Sequence, residues 1–324
     1  MKNQNFGFVL SPCVFVVKTA SLLILFGLQL QGGKAAIAQN SVSNLGTKPT
    51  AKEPIPLMRE FFDQSGPGHR FGTAISDSGD ELYYAVAFND GGRFREEIRF
   101  TRFEAGKWTK PLPLLDEKKF KYVDPHLSPD GQRLYFIYTR PVGSSRGGRN
   151  APFDIWYLNR KGDGWSEPVN IGMPISAPDA NDYFVSLTSE RSLYFGSNRE
   201  EANNFDLFCS KVGADGRYLQ PERLRGDVNT DHYEADVFVS PDESYLIFSS
   251  NGRADGIGDG DLYVSFRSED GSWSRGINMG KAINSSGNDF APSVSRDGKY
   301  LFYSRGGTIH WIAAGVIGDL RSKL

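Results

Sequence analysis

Short runs of alternating apolar and polar residues recur along the chain, each next to a cluster of Ser, Pro, Asp and Gly. "SPDGQRLYF" from Ser128, "SPDESYLIF" from Ser240 and "SRDGKYLFY" from Ser295 are near copies. "SDSGDELYY" from Ser76 is a variant, and "LTSERSLYF" from Leu187 is a degenerate one that lacks the Pro, Asp and Gly. A period of two puts successive side chains on opposite faces of a strand, while Pro, Asp and Gly supply turn conformations that β-branched residues resist. Each phrase therefore predicts a hairpin between a strand a and a strand b. Leu82, Leu134, Leu193, Leu246 and Leu301 anchor the copies at steps of 52, 59, 53 and 55 residues. That spacing predicts propeller blades with long loops.

Two further strand signals complete each unit. Strand c reads "DIWYL" from Asp154, "DLFCS" from Asp206 and "DLYVS" from Asp261, with "EIRFTRF" in the first repeat and "TIHWIAA" in the last. Strand d follows an aromatic, as in "WTKPLPL" from Trp108, "WSEPVNI" from Trp165, "YLQPERL" from Tyr218 and "WSRGINM" from Trp273. Five c strands face only four internal d strands. The missing one has a counterpart before the first repeat, in "KEPIPL" at 52–57. The expectation is all-β: a five-bladed β-propeller over residues 52–324, its last blade closed by an N-terminal strand. Ring closure leaves only short, protected edges.

The phrase "SPDG-x-x-LYF", followed by "SNR" and "DIW", resembles the TolB-like, WD-type propeller repeat of exported bacterial proteins, over nearly the whole chain after its leader. That resemblance implies the fold and leaves the function open, because such propellers host binding modules and enzymes alike.

The N-terminus changes the picture of where the chain works. Residues 1–38 hold no acid and carry the apolar run "ASLLILFGLQL", then Ala36-Ile37-Ala38, a small-x-small site that a signal peptidase accepts. Cleavage there predicts Gln39 as the mature N-terminus, a flexible polar lead-in over 39–51, and a periplasmic or secreted product with no membrane span. Lys2, Lys18 and Lys34 leave with the leader, so 34 basic residues face 39 acidic ones, a net charge of −5. Nothing in that balance suits nucleic acid. Cys209 is then the single cysteine, and its strand context predicts a buried, inert thiol.

Candidate chemistry lies where the repeats differ. The recurring strand-c acids Asp154, Asp206 and Asp261, and the recurring Trp108, Trp165 and Trp273, are read as scaffold. The entries to strand a vary: Asp124 and His126, Asp182, Glu234 with Asp236, and Asp289. The exits of strand b carry Arg140, Arg199, Arg253 and Arg305. Together these predict a polar ligand-binding mouth of Asp124, His126, Asp182, Glu234, Asp289, Arg140, Arg199, Arg253 and Arg305, with the "SPDG" turns on the opposite face. A ring of structural ion pairs is the competing reading of the same residues.

The leading expectation is an exported, soluble module that binds a protein or glycan, with catalysis left open. The alternative is a glycan-active enzyme using axial carboxylates, because glycoside hydrolysis needs a carboxylic acid and a carboxylate flanking the bond. "VDPHLSPDGQRLYFIY" also resembles the Asp-Pro strand entries of arabinanase- and levansucrase-like propellers. There is no nucleophile elbow, phosphate loop or zinc signature. "ADGIGDGDLY" offers Asp255, Asp259 and Asp261 to Ca²⁺, but the spacing does not fit an EF-hand and a Gly-rich hairpin is the stronger reading. No cofactor or metal is assigned.

Overall fold

The computed structural model describes residues 42–50, 53–142 and 153–322. The expected leader and cleavage site, and residues 143–152, lie outside the described residues. Within them the chain forms a five-bladed β-propeller, with each blade an antiparallel sheet. The innermost strands, here strand a, are His69–Ile75, Tyr122–Leu127, Asp182–Leu187, Tyr233–Val239 and Asp289–Val294. The outermost strands are only two residues long: Leu112–Pro113, Val169–Asn170, Glu222–Arg223, Ile277–Asn278 and Ile55–Pro56.

The last of these closes the ring as the strand count requires. Ile55 pairs with Trp311 and Pro56 with His310, and the Leu57 N–H donates to the Ile309 carbonyl at 2.8 Å. Residues 42–50 correct the expectation of a flexible lead-in. Val42 and Leu45 are fully buried beside Leu57, Phe62, Tyr84 and Trp311, and the Asn44 carbonyl accepts the Trp108 indole N–H at 2.9 Å. Two apolar residues in a polar segment suffice to dock it. Two short helices were not legible in the strand pattern. Helix α1, Arg59–Gln64, sets Phe62 edge-on against Tyr84 at 5.0 Å. Helix α2, Gly315–Arg321, buries Ile317 and Leu320 against the last two blades. No helix among the described residues is long and apolar enough to cross a membrane.

The repeated turn has a repeated bonding pattern. Ser128 accepts the Arg133 N–H at 2.9 Å and donates to Asp130, which also accepts the Gln132 N–H at 3.0 Å. Those bonds, the serine's first, hold the Asp130 carboxyl below its ordinary range. In the degenerate third copy Thr188 takes the serine's place, and Arg191 adopts the left-handed φ of 64° that glycine fills in the first, second and fifth copies and Glu243 in the fourth. The recurring tryptophans join blades: Trp165 donates to the Tyr83 hydroxyl at 3.1 Å, and Trp273 meets Tyr194 edge-on at 6.1 Å. Cys209 is half-buried, and burial pushes its thiol up to about 11.

One backbone feature positions the axis. Every strand a carries a register shift against strand b, and at each shift one residue has a positive φ: Gly72 at 54°, Asp124 at 56°, Phe184 at 48°, Asp236 at 51° and Ala291 at 52°. These are β-bulges, which bend a strand and re-aim its side chains.

Candidate functional site: the axial carboxylates

Six of the nine predicted site residues come together in pairs inside single blades. Asp182, Glu234 and Asp289 open strand a in blades three to five, and each carboxylate is fully buried. Asp182 accepts from Arg199 at 2.8 Å, Ser197 at 2.6 Å and the Ala177 N–H at 3.0 Å. Glu234 accepts from Arg253 at 2.8 Å, the Thr230 hydroxyl at 2.6 Å and the Thr230 N–H at 2.8 Å. Asp289 accepts from Arg305 at 2.7 Å, the Ser285 hydroxyl at 2.7 Å and the Ser285 N–H at 2.6 Å. The same arginines donate to the carbonyls of Ile175, Val228 and Ile283 in the preceding loops. Each lock thus staples the loop entering a blade to the strand leaving it, with the lone pairs of the acid already engaged.

The first two blades lack this lock. Arg70 and Tyr122 stand at the acid's position. The Tyr122 hydroxyl donates to the Leu115 carbonyl at 3.0 Å, and the Tyr138 hydroxyl donates to Glu117 at 2.7 Å. Arg140 is exposed beside Tyr138.

Asp124 differs from the locked acids. It occupies the bulge of blade two, and its carboxyl has no hydrogen-bond partner among the described residues. Asp236 occupies the equivalent bulge of blade four, where it accepts from the Ser249 hydroxyl at 3.0 Å and the Ala291 N–H at 3.4 Å. Protein surrounds both residues, yet each keeps some surface open to solvent. Burial drives the Asp124 carboxyl well above the ordinary carboxylate range, and the charges of Asp236 and Glu96 push it further. Asp236 is raised too, by burial, against the pull of its two donors. Of the two, Asp124 is the more strongly driven toward its neutral form, and Asp236, with two donors on its carboxylate, is the better equipped to carry charge. In blade one the bulge is Gly72, where an added Cβ would sit 3.5 Å from the Asp124 Oδ1.

Aromatic rings border these acids. Phe153, Tyr183, Phe205 and Tyr233 form a continuous arc with centroids 4.9, 5.0 and 5.1 Å apart, and Phe71 and Phe290 meet at 6.0 Å. All six are partly exposed. Burial raises both phenols, and the charges of Asp124 and Asp236 add to the effect, which places Tyr183 and Tyr233 close to the acid pair. Glu96, from the strand c of blade one (Arg93–Glu104), is ion-paired with Lys121.

His126 lies apart from the entry mouth. It follows the bulge, and its Nε2 accepts the Leu187 N–H at 3.2 Å at the turn end of the axis. Burial holds its imidazole down to about 4. The strand-c acids are occupied: Asp206 takes a two-pronged bond from Arg223 at 2.9 Å, and Asp261 accepts the N–H groups of Ile257 and Gly258 in the Gly-rich loop. Asp154 is pushed up to about 7 by burial and then by Asp182. Among the described residues no three His, Cys, Asp or Glu side chains cluster as metal ligands.

Sequence reasoning placed Asp236 at the strand entry without adding it to the site, and it missed the aromatic arc. The available signal was blade asymmetry. Phe153 and Phe205 precede strand c in blades two and three, where blades four and five have Gly260 and Gly307.

No family model matches the chain, and no curated protein matches it. Solved structures do. One described as a "Glycoside hydrolase" superposes with a TM-score of 0.54 at 12% identity, covering 82% of this chain and 92% of its own. Another, a complex of BT0996 with RGII, gives a TM-score of 0.50 at 13% identity, over 82% of this chain and 90% of its own. At such identities the likeness is one of fold.

Proposed function

We propose that this chain is an exported, glycan-active propeller that cleaves a glycosidic bond at its axis. The observation that carries the reading is Asp124, an unpaired carboxyl held beside a second acid and bordered by aromatic rings. Apolar ring faces suit the C–H faces of a sugar, and the acids suit its hydroxyls. Asp124, kept neutral by burial and by Asp236, donates its proton to the leaving glycosidic oxygen. Asp236, whose charged form the Ser249 hydroxyl and the Ala291 N–H favour, supports the positive charge that develops on the sugar or takes the proton of the attacking water. That one superposable structure is described as a glycoside hydrolase supports this reading over a purely binding role.

The test is release of reducing ends from a panel of polysaccharides by the mature chain. Asp124→Asn and Asp236→Asn are each expected to lower turnover by about 10²–10⁴-fold. Asn tolerates a left-handed φ, so both variants should fold. Asp124→Asn should also show a stability signature. An acid whose native pKa lies above its unfolded value of about 3.9 contributes its full stability below that value and loses it as pH rises through the native one. The Asn variant has no proton to lose. It should melt above the parent at about pH 7–8 and lose that margin near pH 4. A parent that binds glycan but never turns it over would overturn the catalytic claim and leave a binding module. Unchanged turnover in Asp124→Asn would remove Asp124 from the mechanism.

A further inference from the structure

The turn end of the axis holds a separate cavity of about 130 Å³, to which strand a of all five blades contributes. Its wall is mostly apolar, with Leu187 and Phe238 prominent, and Arg296 stands at its exposed rim. Most of its polar groups are already engaged. Arg296 pairs with Asp77 at 3.4 Å, Ser128 and Ser295 donate to Asp130 and Asp297, and the Thr73 and Ser293 hydroxyls lie 3.0 Å apart across the junction of the first and last blades. His126 remains.

The tautomer of His126 follows from its one bond. The Leu187 N–H is a fixed donor, so the Nε2 that it meets must be a bare acceptor. A neutral imidazole then carries its proton on Nδ1, and burial, with the charge of Arg296 adding to it, holds the ring down to about 4, so it is neutral near pH 7. Nδ1 has no hydrogen-bond partner among the described residues, and it does not belong to the sealed polar atoms that lack one. The ring itself is part of the cavity lining. A fixed N–H donor is therefore presented to a small, largely apolar space.

We propose that this cavity is a second ligand site, one that takes a small uncharged molecule with an apolar body and a hydrogen-bond acceptor, seated on the His126 Nδ1–H. Its size sets the scale: an apolar cavity of about 150 Å³ accommodates benzene. A saccharide is too large and too polar for it, so this site is independent of the glycan reading. An anion fits poorly as well: Arg296 is already paired with Asp77 at 3.4 Å, and that carboxylate lines the same opening, so the wall offers an anion no unpaired positive charge.

Benzamide is a suitable probe, with benzene as the control that lacks an acceptor and benzoate as the charged control. Titration into the mature protein, followed by amide and imidazole resonances, should perturb Thr73, His126, Leu187 and Ser293 and saturate with a Kd below about 1 mM. Benzene should bind more weakly, and benzoate should not compete near neutral pH. His126→Met tests the donor. Its thioether sulfur can still accept weakly from the Leu187 N–H, but it has no N–H to offer a ligand. The variant should bind benzamide about tenfold more weakly, the worth of one hydrogen bond, and benzene about equally well. Perturbations centred elsewhere, no saturation by about 10 mM, or undiminished benzamide binding by a folded His126→Met would each overturn the proposal.

Discussion

Removal of residues 39–57 is expected to unfold the propeller. The deletion takes away the closing strand Ile55–Pro56 and leaves Thr308–Ala313 as an open edge. It also removes Val42, Leu45 and Leu57, which are at most 2% exposed and pack under Trp311 between the last blade and the first. Truncating one buried aliphatic residue costs about 2–5 kcal/mol, and the whole stability of a domain is about 5–15 kcal/mol. Three such losses together with an unpaired edge exhaust it. The truncated protein should show no cooperative melt, or should aggregate through the exposed strand. A monomer that melts within a few degrees of the parent would mean that the ring does not depend on this strand.

The second large effect concerns the lock of blade four. Arg253→Ala strands Glu234, a carboxylate with no solvent exposure, without its counter-charge. Breaking a buried pair from one side costs about 3–5 kcal/mol. For a protein of this size that corresponds to a fall of about 10 °C in Tm. The lost stacking of Arg253 on Phe248 and Tyr263, at 5.0 and 4.8 Å, adds to it. The double variant Glu234→Gln with Arg253→Met carries no buried charge and should recover a large part of the loss. If Arg253→Ala melts with the parent, the pair is not a lock. If glycan binding fails in a variant of unchanged stability, these residues belong to the ligand site after all.

Much of the architecture was legible because it rests on local chemistry that repeats. The "SPDG" turn, the alternation of "LYF" and the surplus of c strands over d strands are each readable without neighbours. The axis was less legible, and the bulge is the reason. Alternation extrapolated through "DPHLS" puts Asp124 and His126 on one face at one mouth. The register shift between Val123 and His126 breaks that alternation, so Asp124 joins the acid pair and His126 turns to the far cavity. The partners of Asp182, Glu234 and Asp289 were among the candidates, but only the fold reveals that each arginine returns to its own blade. Helix α1 was hidden for another reason. "REFFDQ" is too short for a helical period to emerge, and Phe62 docks it through contacts with a distant strand.

The five left-handed residues have an evolutionary consequence. Because the backbone, not the side chain, fixes positions 72, 124, 184, 236 and 291, these act as five interchangeable sockets at one height of the ring. The present occupants are Gly, Asp, Phe, Asp and Ala, so a bare backbone, an acid, an aromatic ring and a methyl group each occur at this point of a blade. The three locks, by contrast, each staple a loop to its own blade through a fully buried acid, so their residues are not free to vary. New ligand preferences can therefore arise by single replacements at the sockets while the rest of the ring stays under constraint, which makes this axis an inexpensive place for the protein to diversify.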